Sequence, residues 1–458
     1  MRILTKISCF CILLFFPALT WAQEKPAGDT YRFSLEEALR YGLEHNYSSV
    51  NAQKDIEIAL KQKWEIIAQG LPQLSASVDY QDFLRQPVTL IPAEITGGEP
   101  GTFVPVTFGT KQNVNATGTW NQLIFDGSYI VGVQSAKTLL QISKNAKTKT
   151  DLEVKKAIIN AYGNVLLAEE SVNILQKNVK TVQKNYDETN TIYQNGMAEQ
   201  EDVEQLQITL LNLKNNLSRS KNMRKIAYGM LNMTLGLPVE AAVELTDDLD
   251  ELAMQYFDLA LLKKTIPVEE NIDYRIAKNT AESAQIQLRL QKAKALPSIT
   301  GFVNYGFNGY SDKFTFLNSD QDYYKQSILG VSLHIPVFSS GMRSAQTQQR
   351  KLKYDQAMVD LEQTKNSVKQ QINSAKTEYE YSLENYQTQK KNLKLAERIE
   401  NKNQIKFFEG IASSFDLSQA QRQLYTAQQD LLQSMLQVIT TKVKLENLLD
   451  TTKYSNEQ

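Results

Sequence analysis

Gly127 and Gly196 are separated by 68 residues, Gly341 and Gly410 are also separated by 68, and neither stretch contains a proline. A proline inside a helix removes a hydrogen bond and clashes with the preceding turn, so such long proline-free runs permit unbroken helix. At 1.5 Å per residue each would be about 100 Å long. Within the first run Ile158, Ala161, Val165, Ala168, Val172, Leu175, Val179, Val182 and Tyr186 fall at alternating spacings of three and four. Beyond Gly196 the stripe resumes at Val203, Leu206, Leu210, Leu213 and Leu217, and beyond Gly410 at Leu417, Ala420, Leu424, Ala427 and Leu431. A sustained heptad means helices packed along their length. Asn195-Gly196 and Glu409-Gly410 put a glycine where a helix ends in a left-handed residue, so each marks the tip of a helical hairpin.

The two runs belong to a duplicated unit. Asn46, Pro72 and Tyr80 recur as Asn271, Pro297 and Tyr305 at an offset of 225, and Gly127, Gly196, Asp202 and Leu235 recur as Gly341, Gly410, Asp416 and Leu449 at an offset of 214. The change of offset falls where two strands would be joined by a loop, and loops tolerate insertion. Each half reads helix, strand, loop, strand, long helix, tight turn, helix. The first half covers 23–240, with strands at 73–85 and 112–125 and a hairpin at 128–235. The second covers 271–449, with strands at 298–308 and 326–338 and a hairpin at 341–449. A connector spans 241–270 and a tail 450–458. The shorter helix after each tip and the helix before each strand pair together match the long helix in length, so they would stack end to end beside it.

The strand assignments rest on alternation. Leu74, Ala76, Val78 and Tyr80 point one way, and Ser75, Ser77 and Asp79 the other. Val114, Ala116, Gly118 and Trp120 form the second set, Ile299, Gly301, Val303, Tyr305 and Phe307 the third, and Leu329, Val331, Leu333, Ile335 and Val337 the fourth. Alternation over about ten residues is the pattern of a transmembrane β-strand. The segments Gln86–Lys111 and Asn308–Lys325 read as extracellular loops, and Trp120, Tyr80, Tyr305 and Phe307 as lipid-facing, interfacial or interprotomer aromatics. Four strands alone would leave open edges in lipid, which is costly, so copies must share a barrel. Two copies give eight strands and three give twelve; strand counting excludes only the single chain.

The beginning of the chain reads as a Sec signal peptide at 1–22: Arg2 and Lys6, then an apolar run from Ile7 to Leu19, then Thr20-Trp21-Ala22. Cys9 and Cys11, the only two cysteines, would leave with it, and His45 and His334 are the only histidines. Disulfides, thiolate metal sites and histidine-based catalysis therefore have little material. The formal net charge of −1 suggests no nucleic-acid surface. The expectation is a non-enzyme without cofactor or metal. A periplasmic coiled-coil adaptor or spacer is the competing reading, but adaptors need one hairpin and contiguous β-domains, whereas here the strands are split between two halves.

The duplicated Leu71-Pro72 and Leu296-Pro297 junctions, the steps Leu123–Gly127 (LIFDG) and Pro336–Gly341 (PVFSSG), and the tips Tyr193–Val203 (YQNGMAEQEDV) and Phe407–Leu417 (FFEGIASSFDL) resemble the TolC-type outer membrane efflux proteins, over nearly all of the mature chain. The resemblance implies a mainly helical fold with membrane β: a homotrimer in which a twelve-stranded β-barrel, seated in outer membrane lipid, stands on a long periplasmic α-helical barrel with a mixed equatorial domain. It implies a passive exit duct of an efflux or type I secretion system, powered by an inner-membrane pump and docked by a periplasmic adaptor at the tips Asn195, Gly196, Glu409 and Gly410. It further implies a pore constriction at Asp416 and Phe407, with Asp202 the first-half counterpart of Asp416. The family's second aspartate falls here on Gln419 and its gate arginine on Ala412.

Overall fold

The computed structural model describes residues 30–449; the expected signal peptide and the tail 450–458 lie outside the described residues. The elements follow in chain order: β1 (Tyr31–Phe33), α1 (Leu35–His45), α2 (Tyr47–Ala68), β2 (Gln73–Asp82), β3 (Val88–Pro92), β4 (Phe103–Thr107), β5 (Gln112–Asp126), α3 (Gly127–Gln194) and α4 (Gln200–Leu235). Then come β6 (Val243–Leu245), α5 (Leu249–Gln255), α6 (Ala260–Lys263), α7 (Ile272–Ala293), β7 (Ser298–Ser311), β8 (Tyr323–His334), α8 (Met342–Phe408) and α9 (Ser414–Leu449). α3 and α8 run unbroken for 68 and 67 residues.

The duplication has a physical counterpart at two asparagines. Asn46 caps α2 by accepting from the Ser48 N–H at 2.8 Å, and its Nδ2 donates to the Thr234 carbonyl in the last turn of α4 at 2.7 Å. Asn271 does the same for α7, accepting from the Asp273 N–H at 2.9 Å and donating to the Leu448 carbonyl of α9 at 3.2 Å. One side chain thus caps a helix start and satisfies an orphan carbonyl of the helix stacked on it. α2 and α4 lie end to end beside α3 in this way. The joint is tight: Gly236 ends α4 with φ +81°, and a Cβ there would meet the His45 carbonyl oxygen.

Where α1, α3, α4, α5, α8 and α9 meet, one large core forms around the fully buried Tyr162, Ile158, Leu231, Leu235, Tyr379 and Val438. Residues 241–270 join it. β6 pairs in parallel with β1, and Tyr379 of α8 accepts from the Asp258 N–H at 2.8 Å and donates to the Tyr256 carbonyl at 2.7 Å. A smaller cluster, Leu175, Val182, Leu210 and Leu213, fills the hairpins nearer the tips.

β2, β5, β7 and β8 make one antiparallel sheet in the order β2-β5-β7-β8, so strands of both halves share it. Its register keeps each side-chain set on one face. The rows Leu74–Trp120–Val303–Leu329 and Val78–Ala116–Phe307–Lys325 lie on one side, and Ser77–Thr117–Gly306–Gln326 and Asp79–Asn115–Asn308–Tyr324 on the other. A one-residue bulge near Leu123–Phe125 absorbs the approach to α3. Around Leu74 and Leu329, each 80% exposed, the apolar face is uncovered in the single chain.

Several boundaries differ from the sequence reading. The first strand stops at Asp82, β7 runs on to Ser311 and β8 begins at Tyr323, so the second loop shrinks to residues 312–322. Ile335 and Val337 lie past the end of β8, where the chain turns toward α8 and Arg343 holds the Pro336 and Val337 carbonyls. Residues 86–111 contain a separate hairpin, β3–β4, that alternation did not reveal.

Candidate functional site

The two helical tips are built alike. At the first, the Gly196 N–H donates to the Tyr193 carbonyl at 2.8 Å and the Met197 N–H to the Ile192 carbonyl at 3.0 Å. At the second, Gly410 donates to Phe407 at 3.0 Å and Ile411 to Lys406 at 2.8 Å. This pair of bonds is the Schellman closure, which needs a left-handed residue at the glycine; φ is +75° at Gly196 and +72° at Gly410. Asn195 and Glu409 are the exposed C-caps before them, and the Asn195 Nδ2 also donates to the Thr191 carbonyl at 2.8 Å.

The carboxylates of the two tips have different partners. Asp416 turns onto the start of its own helix. The Ser413 hydroxyl and N–H donate to it at 2.7 and 3.1 Å, while its own N–H donates to the Ser413 hydroxyl at 3.2 Å. These bonds form a capping box and hold the exposed Asp416 carboxyl below the usual carboxylate range, with Lys406 adding to the effect. Asp202, by contrast, reaches the other hairpin and accepts from the Ser414 N–H at 3.3 Å. The first turn of α9 is therefore satisfied by one carboxylate from each half, as its positive helix end favours. Phe407 lies half-buried, edge-on to the exposed Phe408 at 5.5 Å between ring centres.

Two features here have a signal in the sequence. The capping box was readable as Ser413-x-x-Asp416. The residue after each glycine is a large apolar one left in solvent, Met197 at 74% and Ile411 at 69% exposure, with Phe415 close behind at 61%. A glycine followed at once by an apolar residue, in both halves, was the available signal.

Behind the tips the packing turns polar. Asn178 donates to Gln428 at 2.9 Å, Gln404 to Asn185 at 3.3 Å, and Thr209 meets Ser418 at 3.4 Å. Glu400 sits in this layer. Burial pushes its carboxyl above the ordinary value of 4.5, the Gln421 amide acting in the opposite sense, and burial also raises the Tyr425 phenol. A raised carboxyl is penalised when ionised, so hairpin stability should fall as pH rises from about 4.5 through the raised value and then level off. Glu400→Gln should flatten that slope and raise the neutral-pH melting temperature. Melts at pH 4.5 and 7.5 measure it, and an unchanged slope would remove Glu400 as its source.

Among the described residues no group of three or more metal-ligating side chains occurs, and no helix is long and apolar enough to cross a membrane.

The chain is similar to known proteins. The model of the outer membrane efflux protein family matches residues 269–451. Nodulation protein T of Rhizobium leguminosarum bv. viciae is 22% identical over 426 residues, 90% of this chain and 81% of that protein. The toluene efflux pump outer membrane protein TtgC of Pseudomonas putida is 22% identical over 322 residues, which is 69% of this chain and 64% of TtgC. The crystal structure of the outer membrane protein VceC from Vibrio cholerae superposes with a TM-score of 0.68 at 16% identity, covering 91% of this chain and 95% of that one. The chain therefore carries an outer membrane efflux protein domain over residues 269–451 and resembles the TolC-type outer membrane efflux proteins, in sequence and in fold, over nearly all of its described length.

Proposed function

We propose that this protein is the outer-membrane exit duct of a tripartite efflux or type I secretion system, in which three copies close one twelve-stranded barrel above a helical tube. The observation that carries the proposal is the open sheet. β2 and β8 are each paired on one side only, and the face bearing Leu74, Val78, Leu329 and Val331 is uncovered. A ten-residue strand spans about 34 Å, and a barrel tilt of about 40° projects it to about 26 Å, close to the apolar band of an outer-membrane barrel. Closing the edges head to tail among copies satisfies the backbone without a lipid-exposed rim.

Under this reading the helical hairpins form the periplasmic part and the tips face the inner membrane. Asn195, Gly196, Glu409 and Gly410, with the exposed Met197 and Ile411, form the surface a periplasmic adaptor would grip. Asp416, Phe407 and Asp202 belong to the constriction. The duct is passive, so its direction and energy come from the inner-membrane pump.

Asp416→Asn separates charge from capping, because asparagine keeps a hydrogen-bond acceptor for Ser413. In planar bilayers the variant should conduct with reduced cation preference. Unchanged conductance and selectivity would contradict a carboxylate ring at this position.

A further inference from the structure

The loop between β7 and β8 does not stand clear of the sheet. Phe316, only 7% exposed, lies over Gly309: a Cβ on that glycine would come within 2.9 Å of the Tyr323 ring and 3.3 Å of Phe316. Phe316 and Phe314 meet the Tyr80 ring edge-on at 5.9 and 5.7 Å, and each other at 5.8 Å. Tyr80, Gly309 and Tyr323 share one cross-strand row through Val114, on the same face as Leu74, Val78 and Leu329. Residues 312–322 are thus folded back over the apolar side of the sheet.

The fold-back is held by its own bonds. The Tyr323 hydroxyl donates to the Phe316 carbonyl at 2.7 Å, the Asn318 N–H to the Thr315 carbonyl at 2.9 Å, and the Lys111 N–H to Asp312 at 3.0 Å. At its crown the loop turns two large apolar side chains outward, Leu317 at 87% exposure and Phe314 at 59%, beside the exposed uncharged Asn318 and Ser319. Its charges, Asp312, Lys313, Asp320 and Asp322, stand at the two ends, and none lies between Phe314 and Ser319. One row further along the same face, Lys325 pairs with Phe307. A long cationic stem among apolar neighbours carries its ammonium to a phosphate layer.

We propose that residues 312–322 form a lipid anchor, seating Phe314 and Leu317 in the headgroup–acyl boundary of the outer membrane rather than in extracellular water. The partner is a lipid surface, because the loop continues the apolar face that the barrel presents to lipid. The inference rests on the channel reading of that face. The anchor ties the rim of the barrel to the membrane and leaves the β3–β4 hairpin as the projecting extracellular element.

Cysteine labelling tests this. Single cysteines at Leu317, Val331 and Glu99, in full-length protein with Cys9 and Cys11 replaced by serine, are labelled with the environment-sensitive fluorophore NBD. The labelled protein is reconstituted into vesicles of phosphatidylcholine and phosphatidylglycerol. Label at 317 should lose most of its emission to a lipid carrying a shallow nitroxide and little to aqueous iodide, and label at 99 should behave oppositely. Iodide quenching at 317, with lipid quenching retained at 331, would overturn the anchor alone. Blue-shifted emission at 317 that neither reagent quenches would overturn it in favour of contact with a second copy. Loss of lipid quenching at 331 would overturn the channel reading, and the anchor with it.

Discussion

A lysine in place of Leu329 should cost about 2–4 kcal/mol per copy and strip most of the protein from the outer membrane. Leu329 is 80% exposed in the single chain, on the row Leu74–Trp120–Val303–Leu329. In water, lysine at so exposed a position would change stability by about 0.5 kcal/mol or less. The expected size therefore comes entirely from placing an ammonium against acyl chains. Gln326→Lys puts the same charge on the opposite face of the same strand, where it should be tolerated. The readout is the fraction of detergent-resistant, heat-modifiable oligomer in membrane extracts. Equal assembly of the two variants would mean that the apolar face does not meet lipid.

The second large effect is expected at the core where 241–270 meets the helices. Asp247 accepts from the Leu35 N–H at 2.7 Å and from the Tyr162 hydroxyl at 2.9 Å, and Tyr162 is fully buried and also bonded to the Phe33 carbonyl. Burial, followed by the hydrogen bond to Asp247, raises the phenol pKa, so Tyr162 remains a donor at neutral pH. Asp247→Ala would leave the Leu35 N–H without its partner and take one of its two acceptors from the Tyr162 hydroxyl, loosening α1 against α3 while the Tyr162 bond to the Phe33 carbonyl remains. A loss of about 2–4 kcal/mol is expected, seen as a lower melting temperature and faster proteolysis around residues 30–46. Tyr162→Phe keeps the Leu35–Asp247 bond and should cost about half as much. Asp258→Ala leaves the Tyr379 bond to the Asp258 N–H in place and removes only the exposed bond that the Asp258 side chain accepts from the Ala260 N–H at 2.9 Å, so it should cost no more than about 1 kcal/mol.

Some of this was legible in the sequence because its cause is local. The glycine tips follow from backbone conformation, the helix lengths from the absence of proline, and the strand faces from a period of two. Asp416 as a capping residue was equally local, three positions from Ser413. The parts that escaped depend on residues far apart in the chain. β1 finds β6 some 212 positions away, and the Asp202 bond to Ser414 spans the same distance. The fold-back of 312–322 depends on Phe314 and Phe316 finding Tyr80 of the other half, which no periodicity records. The β3–β4 hairpin is short and rich in proline and glycine, so composition read it as loop although five residues pair on each side.

Single chains, each with an open four-stranded sheet, are expected to close a barrel by threes. Native mass measurement of the protein extracted from outer membranes in mild detergent tests it directly. One dominant species of three chains is expected, lost when Leu329→Lys is introduced. A dominant single chain, or a ring of any other number, would contradict it.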